Sequence, residues 1–159
     1  MDARTFLNQC LEEEARYTFP SFDRGDVWDL GCDLVSACSE MEGPLAVTIW
    51  LNGTEVFRYY PAGTGKFHEQ WLARKRNTVT VLERSSMRYK AELAVKGLTL
   101  ADDCLDPADY ADCGGGFPIR LQGGCVIGFI GVSGLADTRD HAALLEGLRR
   151  FFTRRHYLE

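Results

Sequence analysis

The stretch LAVTIWL-NG-TEVFRYY, residues 45–60, decides the fold of this chain. Two runs rich in β-branched and aromatic residues, Leu45–Leu51 and Thr54–Tyr60, are separated by only two residues, Asn52 and Gly53. Both central positions of a type I′ turn need a positive φ angle, which asparagine and glycine adopt more readily than other residues. The stretch therefore predicts a two-residue β-hairpin.

A second hairpin is predicted further along the chain, where Gln122-Gly123-Gly124 separates a strand at 117–121 from one at 125–133. The segments around the two hairpins show the apolar periodicity of helices. Asp23 is a good N-cap, and Asp26 lies three residues later, where it can complete a capping box. The predicted helices end near residue 15, follow Asp23 as far as Gly43-Pro44, and cover 68–83 and 86–95, and the last helix has Asp137 or Thr138 as its N-cap.

This order of elements predicts the fold class. An isolated hairpin is only marginally stable in water, so the two hairpins must share one antiparallel sheet and bury a face under the helices. We therefore predict a two- or three-layer α/β sandwich, with an antiparallel sheet built from two β-hairpins and helices packed on it. The chain contains no repeat and no linker, so residues 1–159 are expected to form a single domain with a core at about 11–152.

The charge of the chain excludes one class of partner. Its 18 Lys and Arg against 23 Asp and Glu give a formal charge of -5. A nucleic-acid-binding protein needs cations that displace counterions from phosphates, so no nucleic-acid partner is expected. The longest apolar run, Cys125–Leu135, is too short to span a bilayer, so no membrane partner is expected either.

Six cysteines are the unusual count in the composition. None forms a CxxC pair or lies beside a histidine at zinc-ligand spacing, so no metal site is predicted. The first ten residues lack the apolar stretch of a secretory signal, which predicts a cytoplasmic protein with reduced thiols. Cys32 and Cys125 lie in apolar segments and are expected to pack as small hydrophobic residues. Cys104 and Cys113 lie in a loop and are expected to be accessible.

Two glycine-rich segments carry a family resemblance, namely Gly114–Ile119 (GGGFPI) and Gly128–Leu135 (GFIGVSGL). Through them the chain resembles the GlcG/HbpS-like family, known under a "haem-degrading domain" label, and in particular its short cytosolic branch of uncharacterised proteins. The resemblance covers nearly the whole chain. Further similar segments are Tyr17–Phe22, Asp26–Gly31, Trp71–Val79 and Asp140-His141.

The resemblance implies a profilin-like sandwich that assembles as a homo-oligomer. Some relatives in the family bind haem, so the resemblance makes haem a candidate cofactor of this chain, and no cofactor is assigned with certainty. Any such haem would be held non-covalently, because the sequence has no CxxCH attachment motif. The best-studied haem-binding relatives are secreted, and this chain departs from them in lacking a signal peptide.

The strongest candidate site combines the end of the last strand with the start of the last helix. Glycines at strand ends let a ligand approach the backbone closely, and a helix N-terminus attracts anions. If the helix at 68–83 packs over the same end of the sheet, its polar side chains would add charge and hydrogen bonds. The ligand is then expected to be haem or a small anionic metabolite. The predicted ligand-binding residues are Arg74, Lys75, Asn77, Gly116, Ser133, Gly134, Asp140 and His141.

Simpler interpretations of these residues stay open. The run Arg74-Lys75-Arg76 is also typical of a solvated helix face. His141 occupies an apolar-stripe position, where a hydrogen-bonded core or interface histidine is common. Another histidine, His68, lies beside Phe67 and Trp71, an apolar neighbourhood that a porphyrin could share, but a histidine with no role beyond the start of a helix is the favoured interpretation.

Three functions are consistent with the sequence. The first is a cytosolic, homo-oligomeric module that binds a small ligand. The second is an enzyme that acts on a small metabolite with His141 as general base, and the third is an adaptor that binds another protein. A serine hydrolase is not among them, because the residues around Ser133 do not match the G-x-S-x-G nucleophile elbow. No catalytic residue is assigned.

Overall fold

A computed structural model describes residues 1–158 of the chain. Within that range the protein has five α-helices, four β-strands and a short 3-10 helix at Leu100–Asp103. The helices are α1 (Ala3–Arg16), α2 (Arg24–Ser39), α3 (Lys66–Leu82), α4 (Ser86–Lys96) and α5 (Asp137–Arg154). The strands are β1 (Ala46–Leu51), β2 (Thr54–Tyr59), β3 (Gly116–Arg120) and β4 (Val126–Ser133).

The four strands form one sheet in the order β2-β1-β4-β3, and every neighbouring pair is antiparallel. Asn52 and Gly53 have φ angles of 49° and 79°, so both turn positions adopt the positive φ that the sequence predicts. Each predicted hairpin is present, and the two hairpins join through the pairing of β1 with β4. The predicted α/β sandwich with an antiparallel sheet of two hairpins is confirmed.

The two faces of the sheet carry different helices. Val47, Ile49, Ile130 and Val132 belong to the main hydrophobic core, which they share with α2 and α5. The other face is covered by α3. There Gly131 leaves no room for a side chain, because a methyl group on it would lie 2.8 Å from the Leu72 side chain. The glycine therefore lets α3 approach the sheet closely.

Helix α1 lies against α4, away from the main core. Leu7 and Cys10 of α1 form a second buried cluster with Met87 and Ala91 of α4. The C-terminal end of α1 also contacts α5, since Glu13 lies within hydrogen-bond distance of His141.

The start of α2 shows how local chemistry sets a boundary. The Asp23 carboxylate accepts hydrogen bonds from the N–H groups of Gly25 and Asp26, and the Asp26 carboxylate accepts one from the Asp23 N–H. The predicted capping box is therefore present. The prediction for α5 was less accurate, since Ala136 precedes the helix and offers no side-chain cap.

Two expectations about cysteines are wrong. Cys32 and Cys125 are exposed rather than packed as small hydrophobic residues, because Cys32 lies on the outer side of α2 and Cys125 in the β3–β4 turn. The buried thiols are those of Cys10 and Cys38. As to membranes, none of the helices within residues 1–158 combines the length and apolarity that crossing a bilayer requires.

Candidate functional site

The candidate site lies where β4 ends and the chain turns into α5. Ser133 is the last residue of β4, and three residues separate it from Asp137, the first residue of α5. Lys75 of α3 reaches the same place, because α3 packs across β4. The end of the strand, the start of one helix and the middle of another therefore meet at one end of the sheet.

An ion pair between Lys75 and Asp140 forms the floor of this region. The Lys75 Nζ lies 3.0 Å from the Asp140 Oδ2, and the two side chains are only 2% and 3% exposed. The same ammonium donates a hydrogen bond to the carbonyl oxygen of Val132 at 2.9 Å. The second oxygen of Asp140 accepts the backbone N–H of Leu135 at 2.9 Å. The pair thus connects α3, β4 and α5.

A cavity of about 350 Å³ opens above the ion pair. We call it the Ser133 cavity, and its lining includes Lys75, Trp71, His68, Ser133 and Asp140. Its size is at the small end of the range for small-molecule sites, which is roughly 300–1,000 Å³. Trp71 and His68 give one wall an aromatic character, whereas Lys75 and Ser133 supply polar groups.

The rim of the Ser133 cavity carries a second, more exposed ion pair. Lys90 of α4 donates to the Asp137 Oδ2 at 2.8 Å, and the Gly114 N–H donates to the same oxygen at 3.0 Å. Burial works against the charged form of Asp137, but these hydrogen bonds outweigh it and hold the pKa of Asp137 below its usual value. Asp137 is therefore an anion at neutral pH.

Burial has the opposite net effect on two other groups at the cavity. It raises the pKa of Asp140, because desolvation outweighs the attraction of the Lys75 ammonium. It also raises the pKa of the Cys113 thiol, which lines the cavity. Cys113 is consequently a poor nucleophile, since the thiolate is the reactive form.

The structure brings four of the predicted site residues together. Lys75, Ser133, Gly134 and Asp140 all line the Ser133 cavity. Their ligand-binding role stays a prediction, but they share one surface as the sequence analysis expected. Lys75 is also the exception within its basic run, because it is buried rather than solvated.

The other four predicted residues lie outside the lining of the cavity. The Arg74 guanidinium stacks on the Trp71 ring at 4.1 Å, and the Asn77 amide donates to the Asp109 carbonyl oxygen. The Gly116 N–H donates to the Ser86 hydroxyl at 2.9 Å, beneath α4. The position of Gly116 in β3 thus serves the packing of helices on the sheet.

His141 is buried between α5 and α1 rather than in the cavity. Its Nε2 lies 2.9 Å from the Oε2 of Glu13, and its Nδ1 has no hydrogen-bond partner within the described part of the chain. In this position the ring cannot touch a ligand in the Ser133 cavity. The hypothesis of His141 as a general base for such a ligand has no geometric support, and the alternative of a hydrogen-bonded core histidine describes its position.

Sequence reasoning did not place Trp71, Lys90, Cys113 and Asp137 in the ligand-binding set. The spacing of Trp71 could have placed it at the site, because it lies one helical turn before Lys75 on α3 and so shares its side of the helix. No sequence pattern points to Lys90 or Cys113, since only the tertiary fold brings α4 and the loop before β3 to the end of β4.

Comparison with known proteins agrees with the fold and identifies relatives. A UPF0303 protein of Streptomyces coelicolor is 36% identical over 141 residues, which cover 88% of this chain and 89% of that protein. A UPF0303 protein of Edwardsiella ictaluri is 34% identical over 152 residues, which cover 95% of this chain and 97% of that protein.

Solved structures extend the comparison. The crystal structure of the Ybr137w protein matches with a TM-score of 0.85 and 25% identity over 94% of this chain and 89% of its own. The PduOC:heme complex matches with a TM-score of 0.66 and 19% identity over 81% of this chain and 94% of its own, which shows a shared fold. The model of the family described as "Haem degrading protein HbpS-like" matches residues 22–149. The chain therefore belongs to the HbpS-like haem-degrading protein family.

Proposed function

We propose that this protein is a small-ligand-binding module, and that the Ser133 cavity holds the anionic group of its ligand. The observation that carries the proposal is the unfilled hydrogen-bonding capacity of the Lys75 ammonium. An ammonium has three N–H donors, and within residues 1–158 only two acceptors lie within hydrogen-bond distance of it, the Val132 carbonyl and the Asp140 carboxylate. The side chain lines the cavity, so a ligand oxygen can take the third donor.

The balance of donors and acceptors in the cavity supports an anionic ligand. Both carboxylates are already engaged, Asp140 by Lys75 and Leu135, and Asp137 by Lys90 and Gly114. Donors remain in excess, because each lysine uses only part of its capacity. The Ser133 hydroxyl adds another polar group, since this largely buried residue lines the cavity. Carboxylate and phosphate oxygens would complement these donors.

Thermal denaturation with a panel of small carboxylates and inorganic phosphate tests the proposal. A ligand at one hundred times its Kd stabilises the folded state by about 2.7 kcal/mol. For a chain of this length that raises the Tm by about 5–11 °C. We expect Ser133→Ala to weaken the effect and Ser21→Ala, an exposed serine in the loop before α2, to leave it unchanged. Failure of every anion and of haem to stabilise the protein would refute the proposal.

Haem is the second candidate ligand. It is supported by the description of the family and by the PduOC:heme complex, whose protein shares this fold. Of the histidines, His68 is the one at the cavity wall, but its Nδ1 accepts a hydrogen bond from the Gly65 N–H at 3.1 Å. The proton of the neutral ring then lies on Nε2, whereas a histidine that binds iron through Nε2 donates from Nδ1. In this conformation His68 does not fit the role of an axial ligand.

Titration with haem separates the two candidates. Specific binding would shift the Soret band relative to free haem, and His68→Ala would remove the shift if this residue ligates iron. A shift that survives the substitution would assign another ligand. Absence of a shift, together with stabilisation by a small anion, would leave the anionic metabolite as the ligand.

The proposal includes a cytoplasmic homo-oligomer. Trp28 is 68% exposed and lies beside Phe57 and Tyr59 of β2, an edge strand of the sheet. Exposed apolar surface next to an unpaired strand edge supports self-association. Analytical ultracentrifugation of the wild type and of Trp28→Ser measures the oligomeric state. A monomer in both cases would contradict this part of the proposal. Free cysteines throughout the described chain support a reducing compartment.

A further inference from the structure

The side chain of Arg76 is partly buried against an aromatic ring. Its guanidinium carbon lies 3.8 Å from the centre of the Trp50 ring, so the two groups are in contact. Unlike Arg58 and Arg155, it forms no hydrogen bond or ion pair with any residue in the described part of the chain. Burial lowers the pKa of Arg76, and the attraction of the Glu55 carboxylate offsets that effect only in part, because the two side chains form no hydrogen bond or ion pair.

Arg76 lies in a groove that is separate from the Ser133 cavity. We call it the Trp50 groove, and its lining includes Trp50, Asn52, Arg76, Val81 and Val126. The groove has a volume of about 490 Å³. The two sites share no lining residue, since the groove contacts β4 at Val126 to Phe129 and the cavity contacts it at Ser133.

The chemistry of the lining defines a class of ligand. Arg76 is the one cation and Glu83 the one acid among the residues that line the groove, all of which belong to the described part. A guanidinium presents a fork of N–H donors that matches a carboxylate, and Arg76 has no other acceptor. Val81 is 56% exposed and forms an apolar wall with Val126. The acid of Glu83 disfavours a second negative charge on the ligand.

We propose that the Trp50 groove binds a small monocarboxylate with an apolar body, whose carboxylate pairs with Arg76 and whose body lies against Val81 and Val126. The contact with Trp50 holds the guanidinium in place before the ligand arrives, which lowers the entropy lost on binding. The groove and the Ser133 cavity share no lining residue, so this proposal does not depend on the function proposed above.

Titration of ¹⁵N-labelled protein with benzoate tests the proposal, since benzoate combines one carboxylate with an apolar ring. The chain has three tryptophans, and Trp50→Phe identifies the indole N–H signal of Trp50. We expect benzoate to shift that signal, whether or not it also shifts the signal of Trp71 in the Ser133 cavity. Benzamide, which lacks the charge, and acetate, which lacks the body, are expected to bind at least tenfold more weakly.

Variants at Arg76 complete the test. Arg76→Gln is expected to weaken benzoate binding at least tenfold without loss of the fold, because the side chain has no hydrogen bond to lose. Arg76→Lys keeps the charge but not the fork, and should also weaken binding. Arg74→Gln is the matched control, since Arg74 stacks on Trp71 outside the groove. Unchanged benzoate affinity in Arg76→Gln, a shift at Trp71 alone, or no shift at all would overturn the proposal.

Discussion

Replacing Lys75 with methionine should destabilise the protein strongly. The substitution keeps the length of the side chain but leaves the Asp140 carboxylate buried, with a side chain only 3% exposed, and without its counter-charge. Breaking a buried ion pair by removal of one partner costs about 3–5 kcal/mol. That is a large share of the total stability of a typical domain, about 5–15 kcal/mol. For a chain of this length the Tm should fall by about 6–20 °C.

The loss should also depend on pH. Burial already raises the pKa of Asp140, and removal of the Lys75 charge takes away the largest opposing influence, so the pKa rises further in the variant. A folded-state pKa above the unfolded value means that the folded state binds the extra proton. Stability then falls as pH rises from near 3.8 to the raised pKa, by about 1.4 kcal/mol per pH unit. The difference between the variant and the wild type should therefore be smaller at pH 5 than at pH 8.

Urea denaturation at both pH values measures these differences as free energies of unfolding. Lys90→Met is the matched control, because the Lys90–Asp137 pair joins the same two kinds of residue but its lysine is 41% exposed. Such a pair should contribute less than about 1 kcal/mol. A loss below about 1 kcal/mol for Lys75→Met, or an equal loss at pH 5 and pH 8, would refute the reasoning.

Three further predictions concern packing and thiols. Glu13→Gln should lower the free energy of unfolding by about 1–3 kcal/mol at neutral pH, because it weakens the partnership with His141 that joins α1 to α5; equal urea midpoints would contradict it. Gly131→Ala should cost about 1–3 kcal/mol by overpacking against Phe129 and Leu72, whereas Gly65→Ala, with no atom within 4 Å of the added methyl, should cost less. Equal effects of the two substitutions in calorimetry would argue against close packing around Gly131. A thiol reagent should modify the exposed cysteines of the folded protein first, and early reaction of a buried one, whose pKa burial raises to about 12, would contradict the described core. The exposed thiols are Cys32, Cys104 and Cys125, and the buried ones are Cys10 and Cys38.

Local chemistry accounts for the parts of the fold that the sequence predicts. The Asn52-Gly53 turn and the Asp23 capping box depend on residues within four positions of one another, so the amino-acid sequence contains the whole interaction. The pairing of β1 with β4 depends on residues about 80 positions apart, such as Thr48 and Gly131. Residue patterns predicted that the hairpins share a sheet, but they did not specify which strands meet.

The site was less predictable, because it depends on which way each helix faces. Asp140 and His141 are adjacent in sequence, but successive residues of a helix point about 100° apart. Asp140 therefore faces Lys75, whereas His141 faces Glu13 of α1. In the same way Lys75 is buried, while its neighbours in the basic run stack on tryptophan rings. No local signal distinguishes these neighbours until the helices are packed.

The ion pair of Lys75 with Asp140 has a consequence for folding kinetics. Its partners are 65 residues apart in sequence and belong to helices on opposite faces of the sheet, so they meet only after both helical layers have assembled. Interactions that form after the transition state slow unfolding without speeding folding. We therefore expect the pair to form late in folding, so that it lowers the unfolding rate and leaves the folding rate nearly unchanged.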